Sequence, residues 1–168
     1  MAEPDVQLTL IAEAGPLKVS RETFCAFELA GEPRAWSRPG ARIAHDSAGK
    51  DYILFYVSTD ERLYRESLAW CAKAAMRGRP PTEQPVAVLM HAFTPIPKSW
   101  RERERLDALS GARLPTSKPD ADNFLKLIDA FKGLIWVDDM QVVDARVIKR
   151  YSATPALRVE VREFQRPN

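Results

Sequence analysis

Five aspartates, Asp120, Asp122, Asp129, Asp138 and Asp139, fall between Lys118 and Gln141, in a segment that is otherwise largely apolar. Phe124, Leu127, Ile128 and Phe131 recur at the spacing of one buried helix face, so the stretch has to lie against a core. Its carboxylates cannot follow it inside, because an unpaired buried charge is costly. Acids gathered this closely repel one another unless a cation joins them, and a divalent metal is the obvious candidate. Asp120 and Asp122 are two residues apart, which does not put them on one helix face. At a loop-to-helix junction, however, both can point at one ion. Asp122, Lys126 and Asp129 follow at intervals of four and three, so they share a face. Lys126 can neutralise Asp122, orient a water or stabilise charge on a phosphoryl group. Asp139, at the turn beyond the helix, can fold back beside the helix start.

Each piece also has a purely structural explanation. Asp120 or Asp122 can be a helix N-cap, Lys126 an i,i+4 ion-pair partner, and Asp138-Asp139 a turn. An EF-hand does not fit: counted from Asp120, the sixth position is Leu125 and the twelfth Phe131, where that loop needs glycine and glutamate. Zinc lacks its ligands, since His45 and His91 are isolated from each other and from Cys25 and Cys71. Mg²⁺, which accepts one or two carboxylates together with substrate phosphates, suits the segment; Mn²⁺ is the alternative.

The remainder has to supply a scaffold and a substrate. With 168 residues, 45% hydrophobic and 29% charged, one soluble domain is expected. A net charge of +2 says little globally, but acids at one site can coexist with bases around it. No apolar run approaches a membrane span, the N-terminus lacks the basic region of a signal peptide, and the two cysteines read as reduced thiols. A cytoplasmic location without membrane attachment is the expectation.

In chain order, Val6–Leu10 alternates like a strand or arm, and Phe24–Leu29 is a strand. Glu32–Lys50 reads as a loop carrying Arg34, Trp36, Arg38 and Arg42. Arginines mixed with an aromatic suit phosphate contact and base stacking; the alternative is a solvated loop whose Trp36 tucks into the core. Tyr52–Val57 is extended, Asp60–Arg77 an amphipathic helix capped by Ser58 or Thr59, and Pro85–Phe93 a strand. Ser99 caps a helix running to Leu109, either a solvated face or a basic edge in which Lys98, Arg101 and Arg105 meet phosphates. The acidic helix runs from Asp120 to Phe131. Leu134–Val137, Val142–Tyr151 and Leu157–Phe164 are strands. The series describes an α+β fold: a mixed β-sheet with helices packed mainly on one face.

The run Lys118-Pro119-Asp120-Ala121-Asp122-Asn123-Phe124-Leu125-Lys126, then Asp129-Ala130, then Trp136-Val137-Asp138-Asp139-Met140-Gln141-Val142-Val143, closely resembles the RusA family of Holliday junction resolvases. Gly31-Glu32-Pro33 and Pro95-Ile96-Pro97-Lys98-Ser99-Trp100 extend the likeness, which covers about Phe24 to Glu163. The resemblance implies a homodimeric, Mg²⁺-dependent, structure-specific endonuclease, often encoded by phages or prophages. Such enzymes cut four-way DNA by paired symmetric nicks in recombination and repair. It puts the catalytic aspartates at Asp120, Asp122 and Asp139 and the essential lysine at Lys126. Asp129 receives no role from it. The spacing from Asp122 to Asp139 is slightly short for the family, which leaves open whether Asp138 or Asp139 is the ligand. The basic residues expected on the DNA are Arg34, Arg38, Arg42, Lys98, Arg101 and Lys118, with Trp36, which sits between Arg34 and Arg38, as the stacking group. Residues 1–23 have no counterpart in the family and are read as an extension to a domain spanning 24–168. A junction-binding protein without catalysis and a nuclease for other branched DNA are the alternatives.

Overall fold

A computed structural model describes residues 17–165. The Val6–Leu10 strand expectation lies outside them. Among the described residues seven strands and three α-helices follow in chain order: β1 (Lys18–Val19), β2 (Cys25–Ala30), β3 (Gly40–His45), β4 (Asp51–Tyr56), α1 (Thr59–Met76), β5 (Val86–Pro95), α2 (Glu102–Ser110), α3 (Ala121–Leu125), β6 (Val142–Ser152) and β7 (Ala156–Gln165). Short 3₁₀ turns occupy Lys126–Phe131 and Asp139–Gln141.

Alternation makes the sheet. Val86, Val88, Met90 and Ala92 of β5 all point inward and are buried, as are Leu157, Val159 and Val161 of β7. Strand β7 pairs antiparallel with β5 on one side and with β1 and β2 on the other. Strand β6 joins β5 in parallel and forms the far edge. A parallel pair needs a long crossover, and here it carries α2 and α3. Leu68, Ala72 and Met76 of α1, with Phe124, Leu127, Phe131, Ile135 and Trp136, close the core over one sheet face. Phe131 meets Phe27 and Trp136 edge-on, at 5.3 and 5.9 Å between ring centres. The mixed α+β architecture expected from the sequence is the one observed.

Four local expectations change. Residues 40–45 are a strand, because they pair antiparallel with residues 51–56 and Asp46 closes a turn onto β4 by accepting from the Ala48 and Lys50 amides. Helix α2 begins at Glu102 with Arg101 as its N-cap, since a turn from Pro97 to Trp100 uses up the Ser99 position. The acidic helix is α-helical only to Leu125 and then tightens to 3₁₀. Leu134–Val137 is a turn with isolated bridges from Trp136 to Thr82 and Lys132. Gly133 at φ 73° reverses the chain there, and its amide donates to the Trp136 carbonyl at 2.7 Å.

Candidate active site

The acidic segment meets the arginine loop at an open cleft of about 460 Å³, lined by Trp36, Ser37, Arg38, Lys118, Pro119, Asp120, Asp122, Asn123 and Lys126. Three elements deliver these residues. The extended segment before α3 brings Lys118 and Pro119, which are joined by a cis peptide bond. The first turn of α3 brings Asp120, Asp122 and Asn123, because Phe124 and Leu127 turn inward and leave these residues outward. The Pro33–Pro39 loop brings Trp36, Ser37 and Arg38, while Lys126 follows from the C-terminal end of α3. Besides the Arg34–Asp60 pair, the loop is tied down through two of its cleft-lining residues. Its Trp36 amide donates to the Asn123 carbonyl at 3.0 Å, and its Ser37 hydroxyl donates to Glu61 at 2.5 Å.

Asp120 is the N-cap residue of α3 by its backbone, with φ −72° and ψ 151°, but its carboxylate makes no capping bond. Among the described residues it accepts no hydrogen bond at all, so the cap reading fails for its side chain. Among the described residues the Asp122 carboxylate meets only Lys126, at 3.5 Å between Oδ2 and Nζ. The Lys126 ammonium is held more firmly by Asn123 Oδ1 at 2.7 Å and lies 4.6 Å from the centre of the Trp36 ring. Trp36 is half-buried, walls the cleft and faces the Lys126 ammonium. Two carboxylates and three cations, Arg38, Lys118 and Lys126, share one surface.

The turn after the 3₁₀ segment is organised differently. Asp138 accepts from the Met140 amide at 3.0 Å and pairs with Lys132 at 2.6 Å. The Lys132 ammonium, aided by that amide, holds the Asp138 carboxyl below its ordinary value, and Asp138 raises Lys132 in turn. Asp139 accepts from the buried Trp136 indole at 2.8 Å through Oδ1. The Gln141 amide nitrogen donates to the carbonyls of Thr82 and Gln84, at 2.8 and 3.0 Å, and fixes the turn to the lead-in of β5. Asp139 does not line the cleft, and among the described residues no three acids, histidines or cysteines converge into a ligand set. The donors present still fit Mg²⁺, which takes one or two carboxylates and fills its shell with water and phosphate oxygens.

The other expected residues are dispersed. Arg34 pairs with Asp60 at 3.0 Å. Arg42 stands on β3. Lys98 and Arg101 lie near α2, where Arg113 stacks 3.7 Å from the Trp100 ring centre and pairs with Glu104 at 2.7 Å. None of these four basic residues lines the cleft, and Asp129 makes no bond to Lys126. Sequence reasoning missed Asn123, Ser37 and Glu61. Asn123 sits inside the motif and its amide oxygen is the natural partner of a lysine three residues on. Glu61 looks like an ordinary first-turn acid; only the folded loop shows it buried beside Ser37.

The family model for endodeoxyribonuclease RusA matches residues 30–162. The chain belongs to the RusA endodeoxyribonuclease family. The match spans the arginine loop, the cleft, β3 to β6 and most of β7, and leaves out β1, all of β2 but Ala30 and the last residues of β7. A protein of Bacillus subtilis strain 168, the uncharacterised YqaN, is 35% identical over 148 residues, covering 82% of this chain and 94% of that one. Among the described residues no helix is long and apolar enough to cross a membrane.

Proposed function

We propose that this RusA-family chain is a Mg²⁺-dependent, structure-specific endonuclease that resolves four-way DNA junctions by paired nicks, in recombination and repair. The observation that carries the reading is the unpartnered Asp120 carboxylate beside Asp122, in a cleft rimmed by Arg38, Lys118 and Lys126. An acid left free among cations is poised for a ligand rather than for fold stability. Asp120 and Asp122 would hold the metal, and Asp139, whose second oxygen is uncommitted, would complete its shell. Bound there, a divalent ion supplies a Lewis acid and a water nucleophilic at neutral pH.

The chain's own groups do the rest. Arg38 and Lys118 hold the backbone phosphates on either side of the scissile one, which makes binding weaken with salt. Lys126, fixed by Asn123, meets the negative charge that grows on the phosphoryl oxygens. One P–O bond forms to water as one breaks to a sugar oxygen.

Paired nicks need two sites, which a twofold dimer provides. The β3–β4 hairpin supports a dimer. It is a separate two-stranded sheet, and such a hairpin is marginal alone. One face carries Ala41, Ile43, His45, Asp51, Ile53 and Phe55, with Ile43, Ile53 and Phe55 exposed by 68%, 64% and 68%. No lysine or arginine stands on that face, so it suits a second apolar surface better than phosphates. Ile53→Glu should convert a dimer to monomers in sedimentation and turn paired nicks into single ones; an unchanged dimer would remove the hairpin from the interface.

The central test incubates labelled four-way junctions with the protein, with and without Mg²⁺, and maps cuts on all four strands. Symmetric, Mg²⁺-dependent cuts are expected. Equal cleavage of linear duplex, or full activity of Asp122→Asn, would overturn the mechanism, and preference for flaps or forks would move the substrate.

A further inference from the structure

Strand β6 alternates across the sheet. Asp144, Arg146 and Ile148 line the open outer face, while Val147 packs on the core. Lys149 therefore falls on the covered side, opposite the fully buried Ala92 in the neighbouring strand. A lysine at an inward position breaks the apolar pattern and calls for a partner. Its ammonium finds two: Nζ donates to the carbonyls of Ser117 and Pro119, each at 2.7 Å. Those carbonyls flank Lys118, and the second immediately precedes Asp120.

The segment from Leu114 to Pro119 has nothing else of the kind. It contains two prolines, which lack an N–H, and it belongs to no helix or strand. Among the described residues the two bonds from Lys149 are its only hydrogen bonds. A backbone without a ladder is positioned by whatever side chain reaches it. Here one charged donor on a rigid strand sets where Pro119 ends and hence where the Asp120 Cα begins. The ammonium is spent on neutral carbonyls, so it holds the loop without pairing with the Asp120 carboxylate.

We infer that Lys149 is a positioning residue for the site: it fixes the Ser117–Pro119 segment from strand β6 and so aims Asp120 into the cleft beside Asp122. The inference rests on the metal-site reading of Asp120 for its functional consequence, but the positioning itself can be read without metal.

The test uses the whole chain and the variant Lys149→Met, with Lys149→Gln read the same way should the first not fold. Amide hydrogen exchange is followed at Asn123, whose N–H donates to the Asp120 carbonyl at 3.2 Å. Exchange there should accelerate by about tenfold or more while the amides of β5 and β7 keep their protection. Mn²⁺ titration followed by electron paramagnetic resonance, without DNA, should show affinity reduced by about tenfold, in the range for outer groups that orient ligands. Unchanged exchange at Asn123, or acceleration spread equally over the core strands, would overturn the inference. If the parent protein binds no Mn²⁺, the metal reading fails, and the exchange result still decides the positioning.

Discussion

The chain holds two aspartate pairs, Asp120 with Asp122 and Asp138 with Asp139, and they are used in opposite ways. Both begin a helical turn, and both Asp120 and Asp138 occupy the N-cap position. Asp138 does what a cap does, taking the Met140 amide and a lysine besides. Asp120 leaves its carboxylate in solvent, although the cap geometry was available to it. Residue type and position are the same; what differs is how the donors nearby are committed. Lys132 and the Trp136 indole stand beside the second pair, whereas the lysine behind the first, Lys149, is taken up by backbone carbonyls. An acid is therefore marked for chemistry by the absence of commitments, which only the folded surroundings reveal.

The largest effect that could break this contrast comes from Asp120→Asn. The amide keeps the size of the side chain and removes the charge. Cleavage of four-way DNA should fall by on the order of 100-fold or more, the scale for losing one direct electrostatic contact in a reaction site. The melting temperature should stay within about 2 °C, because the carboxylate supports nothing in the fold. A variant that unfolds readily while its residual folded fraction cuts normally would show Asp120 to be structural after all.

The difference between the pairs also explains what the sequence could and could not disclose. Apolar periodicity located β5, α1, β6 and β7 because burial imposes it directly: every inward residue of β5 from Val86 to Ala92 is buried. The motif from Lys118 to Lys126 located one cleft for the same local reason, since helix geometry alone brings Asp122, Asn123 and Lys126 together. The β3 strand was hidden by the arginines and prolines around it, which read as a loop. Its partner strand, not its composition, makes it extended. Lys149 lies 29 residues beyond Asp120 in sequence, and its role exists only through parallel pairing of β5 and β6, which no local pattern encodes. The grouping of Asp139 with Asp120 and Asp122 rests on motif resemblance, and the folded chain instead ties Asp139 to Trp136.

That tie gives the second test. Trp136→Phe removes the indole donor and leaves a small void in the core, costing about 1–3 kcal/mol of stability in chemical denaturation. If Asp139 completes the metal's shell in the DNA complex, its loss of orientation should also lower cleavage about tenfold at saturating Mg²⁺, as expected for a group that orients a ligand. Destabilisation with undiminished cleavage would place Asp139 with Asp138 as a turn residue, and the contrast would then separate two whole pairs rather than three acids from one.

The smallest effect is expected at Asp138, and it tests the committed side of the comparison. Lys132 and the Met140 amide hold the Asp138 carboxyl below its unfolded value. A depressed carboxyl stabilises the fold fully above the unfolded value, about pH 4, and loses that contribution as pH falls through the lower, folded value. The raised Lys132 behaves in reverse, contributing below its unfolded value and losing the contribution as pH climbs through the folded one. The pair therefore contributes most between about pH 5 and 9. Asp138→Asn keeps an oxygen for the cap, which asparagine serves well, and removes only the charge. Its stability should sit slightly under the parent's at neutral pH and converge with it in acid, because the pair is solvent-exposed and screened. Cleavage should remain within about twofold of the parent, since an exposed pair of this kind is worth little beyond its own turn. Urea denaturation at pH 7 and pH 3, with a junction assay at pH 7, measures all three. A variant that loses cleavage at full stability would move the ligand from Asp139 to Asp138. The capped, lysine-paired acid would then be the catalytic one, against everything its bonds suggest.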